Sequence, residues 1–171
     1  MSEQMQLQAD IHALCTKQFL AVLCTQHQGQ PFGSLVAFTV SDDLRYLCFA
    51  TERATRKYRN LMSDPRVALL IDSRRAYPDD LVDACALTVT GHISDLDSTA
   101  VTSLHTKHAT RHPQLREFLA QPTTCLLTMA IEQYDLVSHF QQVRTLSLRT
   151  GDAPCESSRD LITPTTWEPA D

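Results

Sequence analysis

The chemistry in this chain is concentrated in one stretch: Ala50-Thr51-Glu52-Arg53-Ala54-Thr55-Arg56-Lys57-Tyr58-Arg59-Asn60-Leu61. An apolar run ends just before Thr51. An amphipathic stripe of Ala54, Tyr58, Leu61 and Met62 follows at helical spacing. Thr55 is a good N-cap for that helix. A helix start carries unpaired N–H groups and partial positive charge. Thr51, Thr55, Arg56 and Lys57 add hydroxyls and cations to that end, which makes an anion site without any glycine. An exposed, basic first turn is the other reading. Basic residues oppose the dipole at a helix N-terminus, and a bound anion accounts for their placement.

Other constellations are weaker. His105, His108 and His112 fall at i, i+3 and i+7, so one helix face carries all three. Three histidines can ligate zinc, but no carboxylate or cysteine is placed with them. They read as a solvated face, and no metal is expected. No two of the six cysteines form a C-x-x-C pair. Cys24, Cys48, Cys85 and Cys125 sit inside apolar runs and read as buried free thiols of a reducing cytoplasm. With only Gly29, Gly33, Gly91 and Gly151, neither a dinucleotide fingerprint nor a P-loop can be written. No G-x-S-x-G or H-E-x-x-H occurs either. Asp79-Asp80 reads as surface, and Trp167 as an anchor for the tail.

The elements that must position the anion site can be read from period and punctuation. Residues 6–17 have helical spacing, and 19–27 and 32–40 are strands joined at Gln28-Gly29 as a hairpin. A third strand spans 45–50. The helix after Thr55 stops at Asp64-Pro65, and a fourth strand covers 66–72. Residues 73–83 read as a polar loop. A fifth strand spans 84–94, with Gly91 a possible bulge. A helix over 98–110, capped by Asp97 or Ser98, breaks at His112-Pro113, and 114–120 gives a further turn or two. A long strand at 124–138 and a last one at 142–148 close a domain of residues 1–148, of which 1–18 is an N-terminal helix. Residues 149–171 form a mobile or docked tail. Six or seven hairpin-connected strands with short helices predict a mainly β fold, an antiparallel barrel. The net charge of -5 disfavours nucleic acid as a partner. No apolar run is long enough to cross a membrane as a helix, and the cytoplasm is the expected location.

On these residues the chain resembles the pyridoxamine 5'-phosphate oxidase-like family of FMN-binding split barrels. The family pattern is a strand ending in Thr or Ser, a loop, and a Ser/Thr-Arg-Lys triplet opening a helix. Here it reads Thr51, then Thr55-Arg56-Lys57, continuing through Asn60-Leu61 and Asp64-Pro65-Arg66-Val67, with the preceding hairpin at residues 31–38. The resemblance spans about residues 18–148. It implies a homodimer with FMN at the interface. Thr51, Thr55, Arg56 and Lys57 would hold the phosphate, and Ser34, Leu35 and Val36 would run beside the ribityl chain and flavin edge. The second subunit would contribute Thr90, Gly91, and His139 and Phe140 of the ending Tyr134-Asp135-Leu136-Val137-Ser138-His139-Phe140-Gln141. The implied activity is a flavin-dependent oxidation or reduction of an unknown small molecule. A non-enzymatic flavin-binding or redox-sensing protein, a haem-binding or haem-degrading relative, and a deazaflavin as ligand are the alternatives. No residue stands out as a catalytic acid or base. The Arg-Leu-x-Pro type ending that holds substrate in true pyridoxamine phosphate oxidases is not visible, so the resemblance does not extend to vitamin B6 oxidation.

Overall fold

The structure, a computed structural model, describes residues 2–95, 98–139 and 142–148. Helix α1 (Glu3–Lys17) leads into strands β1 (Leu20–His27), β2 (Gln30–Val40) and β3 (Tyr46–Glu52). Helix α2 (Arg56–Ser63), β4 (Arg66–Asp72), the one-turn helix α3 (Asp80–Asp83) and β5 (Ala86–Ile93) follow. Next come α4 (Thr99–Arg111), a 3-10 turn (Pro113–Leu115), α5 (Arg116–Leu119), β6 (Thr124–Ser138) and β7 (Gln142–Ser147). The region read as a loop at 73–83 therefore contains a short helix. Phe140, Trp167 and the 149–171 tail lie outside the described residues.

All strand pairs are antiparallel. The order is β3-β2-β1-β4-β5-β6-β7, and β3 also pairs with β6. That extra pairing closes six strands into a barrel, with β7 added on the far half of β6. The barrel is thus mainly β with short helices around it, as the hairpin pattern predicts.

Local sequence explains the joints. Gln28 (φ 51°) and Gly29 (φ 82°) are both left-handed, and His27 pairs with Gln30. That is the two-residue turn whose twist suits a hairpin. Along β4 the burial alternates, with Val67, Leu69 and Ile71 inward. At the end of β2 the alternation stops, because Phe38, Thr39 and Val40 are all buried. Phe38 faces the core, whereas Thr39 is covered from outside by α4. The α1 stripe Leu7, Ile11, Leu14 and Cys15 joins the barrel core. Arg111 fastens the end of α1 by donating to the carbonyls of Cys15 (3.2 Å), Thr16 (2.8 Å) and Gln18 (2.8 Å). Buried aromatics fill the core, including Phe38, Phe49 and Tyr134. Tyr134 also donates its hydroxyl to the Leu44 carbonyl at 2.8 Å, which satisfies the one polar atom the ring takes inside.

The predicted bulge is present: register between β5 and β6 shifts at Thr90/Gly91. A Cβ on Gly91 would meet the Ala130 carbonyl oxygen at 2.1 Å. Backbone cannot retreat as a flexible side chain can, so this glycine is fixed by strand packing. Gly91→Ala should therefore destabilise the barrel by about 1–3 kcal/mol or more. Urea unfolding checks this, and an unchanged midpoint would show that the bulge relaxes freely.

Candidate functional site

The end of β3 and the start of α2 meet at a cleft of about 350 Å³. Thr51, Glu52, Thr55 and Lys57 line one end. Leu35, Val36 and Ala37 of β2, with Leu20 of β1 and Ala50 of β3, form a wall, and Leu115 and Phe118 form a roof. One end is thus polar, with one ammonium and one carboxylate, and the other is apolar. Such a cleft suits a ligand with an anionic group and a flat or greasy body.

The polar end is built as a helix N-terminus. Thr55 caps α2, its Oγ1 accepting from the Tyr58 N–H at 3.4 Å. Thr51 Oγ1 lies 2.9 Å from Thr55 Oγ1. Thr55 also donates to the Glu52 carbonyl at 2.8 Å. Two hydroxyls are thereby held side by side over the open N–H groups of the first turn, with the Lys57 ammonium on the same cleft. Arg56 is placed differently. Its guanidinium stacks on Phe32, 4.6 Å from the ring centroid, and it does not line the cleft. Arg53, in the loop before the helix, donates to the Cys125 sulfur at 2.7 Å.

The three β2 residues separate by face. Leu35 pairs with Val22 on the outer face and is 62% exposed. Ser34 pairs with the fully buried Leu23, so it shares the inward face. Its Oγ is buried without a hydrogen-bond partner, and only Leu35 and Val36 of the three line the cleft. Thr90 and Gly91 line a different hollow, with Cys24, Arg66 and Glu132. His139 is an exposed turn residue after β6 with φ 46°. Within one chain, then, the Thr51/Thr55/Lys57 set and the Thr90/Gly91 pair belong to separate surfaces.

Two readings are corrected. Cys24 is exposed, because its position on β1 points outward, opposite Gly33 and Ala68. An apolar run in a barrel whose outer face is open buries only alternate members. The histidines are not a solvated face. His108 and His112 are fully buried between α4 and β2. His108 Nδ1 is 2.9 Å from Thr39 Oγ1, and His112 Nε2 is 2.9 Å from the Phe38 carbonyl. His105, half-buried, pairs with Thr128 Oγ1 at 2.8 Å. Burial holds all three below the usual histidine range, His108 at about 4. Among the described residues, no group of three or more His, Cys, Asp or Glu side chains is arranged to hold a metal ion. Leu20, Leu115 and Phe118 were not legible as site residues. Phe118 in the short helical turns after His112-Pro113 was the only available signal.

The sequence profile described as Pyridoxamine 5'-phosphate oxidase matches residues 7–137. The chain belongs to this family. Solved structures sharing the fold include a haem-binding protein from Mycobacterium smegmatis, with TM-score 0.72, 15% identity, and coverage of 86% of this chain and 59% of that one. An FAD-binding protein from Mesorhizobium loti aligns with TM-score 0.59 and 17% identity, over 75% of this chain and 90% of that one. HutZ, a haem storage protein from Vibrio cholerae, aligns with TM-score 0.60 and 17% identity, over 77% of this chain and 94% of that one. At these identities the likeness shows the family's fold. This chain spans little more than half of the mycobacterial protein. No protein of curated function matches it in sequence.

The family's helix start depends here on one hydroxyl. Thr55→Ala should lower stability by about 0.5–2 kcal/mol, and Thr55→Ser should restore most of it. Equal unfolding midpoints for wild type and the alanine variant would mean that the cap is not holding α2.

Proposed function

We propose that this chain binds FMN in the cleft as a homodimer and acts as a flavin-dependent oxidoreductase on a small molecule. The observation that carries the reading is one cleft joining Thr51, Thr55 and Lys57 at a helix N-terminus to an apolar wall and roof. The phosphate would accept from the Thr51 hydroxyl, the first-turn N–H groups and Lys57, and from Thr55 once its proton turns away from the Glu52 carbonyl. Arg56 stands at the margin, and its long side chain can leave Phe32 for the stronger attraction of a phosphate. Leu35, Val36, Leu115 and Phe118 would flank the ring. The flavin supplies the electron transfer when bound; the chain's part is to bind, orient and keep water from it.

Two observations support the second subunit. The cleft is small for a cofactor of this size and open to solvent on one side, and Leu20 and Leu35 at its edge are 53% and 62% exposed. Leu20, Val22, Leu35 and Leu70 make an apolar row on the outer face of β1, β2 and β4. A copy covering that row would remove it from water. It could also bring Thr90, Gly91 and His139, which lie away from the cleft in their own chain, to the ligand of its partner. A haem-binding reading draws on the haem-binding and haem storage proteins that share the fold.

Purified protein should carry or take up FMN, and mass spectrometry of the extracted ligand separates FMN from a deazaflavin or haem. Thr51→Val with Lys57→Ala should weaken FMN by about tenfold per lost contact and leave riboflavin nearly unchanged. Equal losses for both would place the phosphate elsewhere, and a Soret band on haem titration without flavin uptake would replace the reading. Light scattering should give twice the 19.2 kDa of one chain. Reduction of bound FMN by NADH or NADPH, followed by reoxidation with turnover of an acceptor, separates an enzyme from a sensor.

A further inference from the structure

The buried histidine pair lies where the floor and roof of the cleft are joined. His112 is the C-cap of α4, its N–H donating to the His108 carbonyl at 3.0 Å. The same residue starts the 3-10 turn, its carbonyl accepting from the Leu115 N–H at 2.9 Å. Leu115 and Phe118, immediately downstream, are the roof. The His112 ring reaches back to Phe38 and Thr39 of β2, and β2 supplies the wall residues Val36 and Ala37 just before them. His112 therefore ties roof to floor through its backbone and its side chain at once.

Proton positions follow from the partners. A carbonyl only accepts, so His112 Nε2 carries a proton and donates to Phe38. Thr39 Oγ1, 3.4 Å from the same nitrogen, completes that side. Its hydroxyl proton is then free to point at His108 Nδ1, which makes that nitrogen the acceptor. His108 Nε2 and His112 Nδ1 are left buried with no partner. A proton added to His112 must go on Nδ1, where nothing accepts it. A proton added to His108 must go on Nδ1, where it displaces the hydroxyl proton of Thr39. Either step also buries a charge.

No neighbouring charge offsets this. On α4, His108 faces His112, His105 and Arg111, and His112 also faces Arg111, all of which disfavour a further positive charge. Phe19, after α1, meets the His112 ring edge-on at 6.0 Å, and the Arg111 guanidinium lies over the same Phe19. From α1 and β3 come the thiols of Cys15 and Cys48, each pushed up to about 12 by burial and so neutral. The Lys107 ammonium is engaged by Asp42 and the Val40 carbonyl. Among the described residues neither ring has a carboxylate partner.

We propose that His108 and His112 are positioning residues for the cleft: neutral, they hold the head of the Leu115–Phe118 roof at β2, and protonated, they release that end of it. Because burial lowers His108 from 6.5 to about 4, the closed state is fully favoured above about pH 6.5. It is progressively lost as pH falls through that window.

The test uses Phe118→Trp in a Trp167→Phe background, so that the roof carries the only indole. Without ligand, its emission should move to the red between about pH 7.5 and about pH 4.5 while far-ultraviolet circular dichroism stays native. Adding His108→Gln and His112→Gln should flatten that titration. A flat titration in the histidine-containing protein overturns the proposal, as does an identical one in the glutamine variant. So does emission that changes only together with global unfolding. If the glutamine variant does not fold, the histidine-containing protein still decides. A second measurement, with Phe118 unaltered, rests on the FMN reading. FMN affinity should fall about tenfold or more from about pH 7.5 to about pH 5 in wild type, and much less in the glutamine variant. The phosphate's own ionisation near about 6 affects both proteins alike. No FMN binding at either pH would refute the cofactor assignment alone, because the emission titration contains no flavin.

Discussion

Everything in this molecule hangs on β6. It is 15 residues long, longer than the strands beside it, and it is shared among three partners. One edge pairs with β5 along residues 129–137. The other pairs first with β3 at residues 124–130 and then with β7 at residues 133–138. The first half closes the barrel and removes two open edges from water. It also fixes where β3 ends, since the Thr51–Cys125 and Glu52–Thr124 pairs are the last rungs of that ladder. Beyond them the chain must leave the sheet. It does so at the point where Thr55 can start a helix, and the cleft is the space left between that departure and β2.

Short-range signals were legible where one residue decides the outcome. Thr55 is the helix cap its position suggests, and β4 and β6 occupy 66–72 and 124–138 as the pattern indicates. Gly91 marks a bulge. What could not be read was which face of an element another element would cover. His108 looks polar in sequence, but its partner Thr39 is 69 residues away. Thr39 in turn is buried only because α4 lies across the outside of β2. Cys24 sits in an apolar run, yet pleating turns it out while Leu23 turns in. Arg56 carries the right charge for a phosphate, but its stacking on Phe32 depends on a hairpin two elements earlier. The roof residues Leu115 and Phe118 had only the short helical turns after His112-Pro113 to mark them in sequence, since their place follows from the His112 joint.

The cleft also shows how this fold gathers hydroxyls and a helix start at one point with little glycine. A glycine-rich loop presents bare backbone; here two threonines and the first turn of α2 present hydroxyls and N–H groups. Thr51 is almost fully buried and Thr55 half-buried, so their hydroxyls have few orientations to lose on meeting a ligand. Lys57 is on the cleft, whereas Arg56 is stacked on an aromatic ring nearby.

The fastening of α1 by Arg111 bears on how the chain is made. The helix comprises residues 3–17 and is synthesised well before the groups that fasten it. The guanidinium that receives its last carbonyls lies 93 to 96 residues later. The ion pair between Asp10 and Arg144, at 2.8 Å, comes later still. Neither contact can form until those residues have emerged, and loop-closure entropy delays them further once they have. The apolar stripe of Leu7, Ile11 and Leu14 therefore waits for its fastening while the barrel strands are made. A helix made ahead of the barrel is among the last elements locked to it, and that end is sealed only after α4 and β7 have left the ribosome.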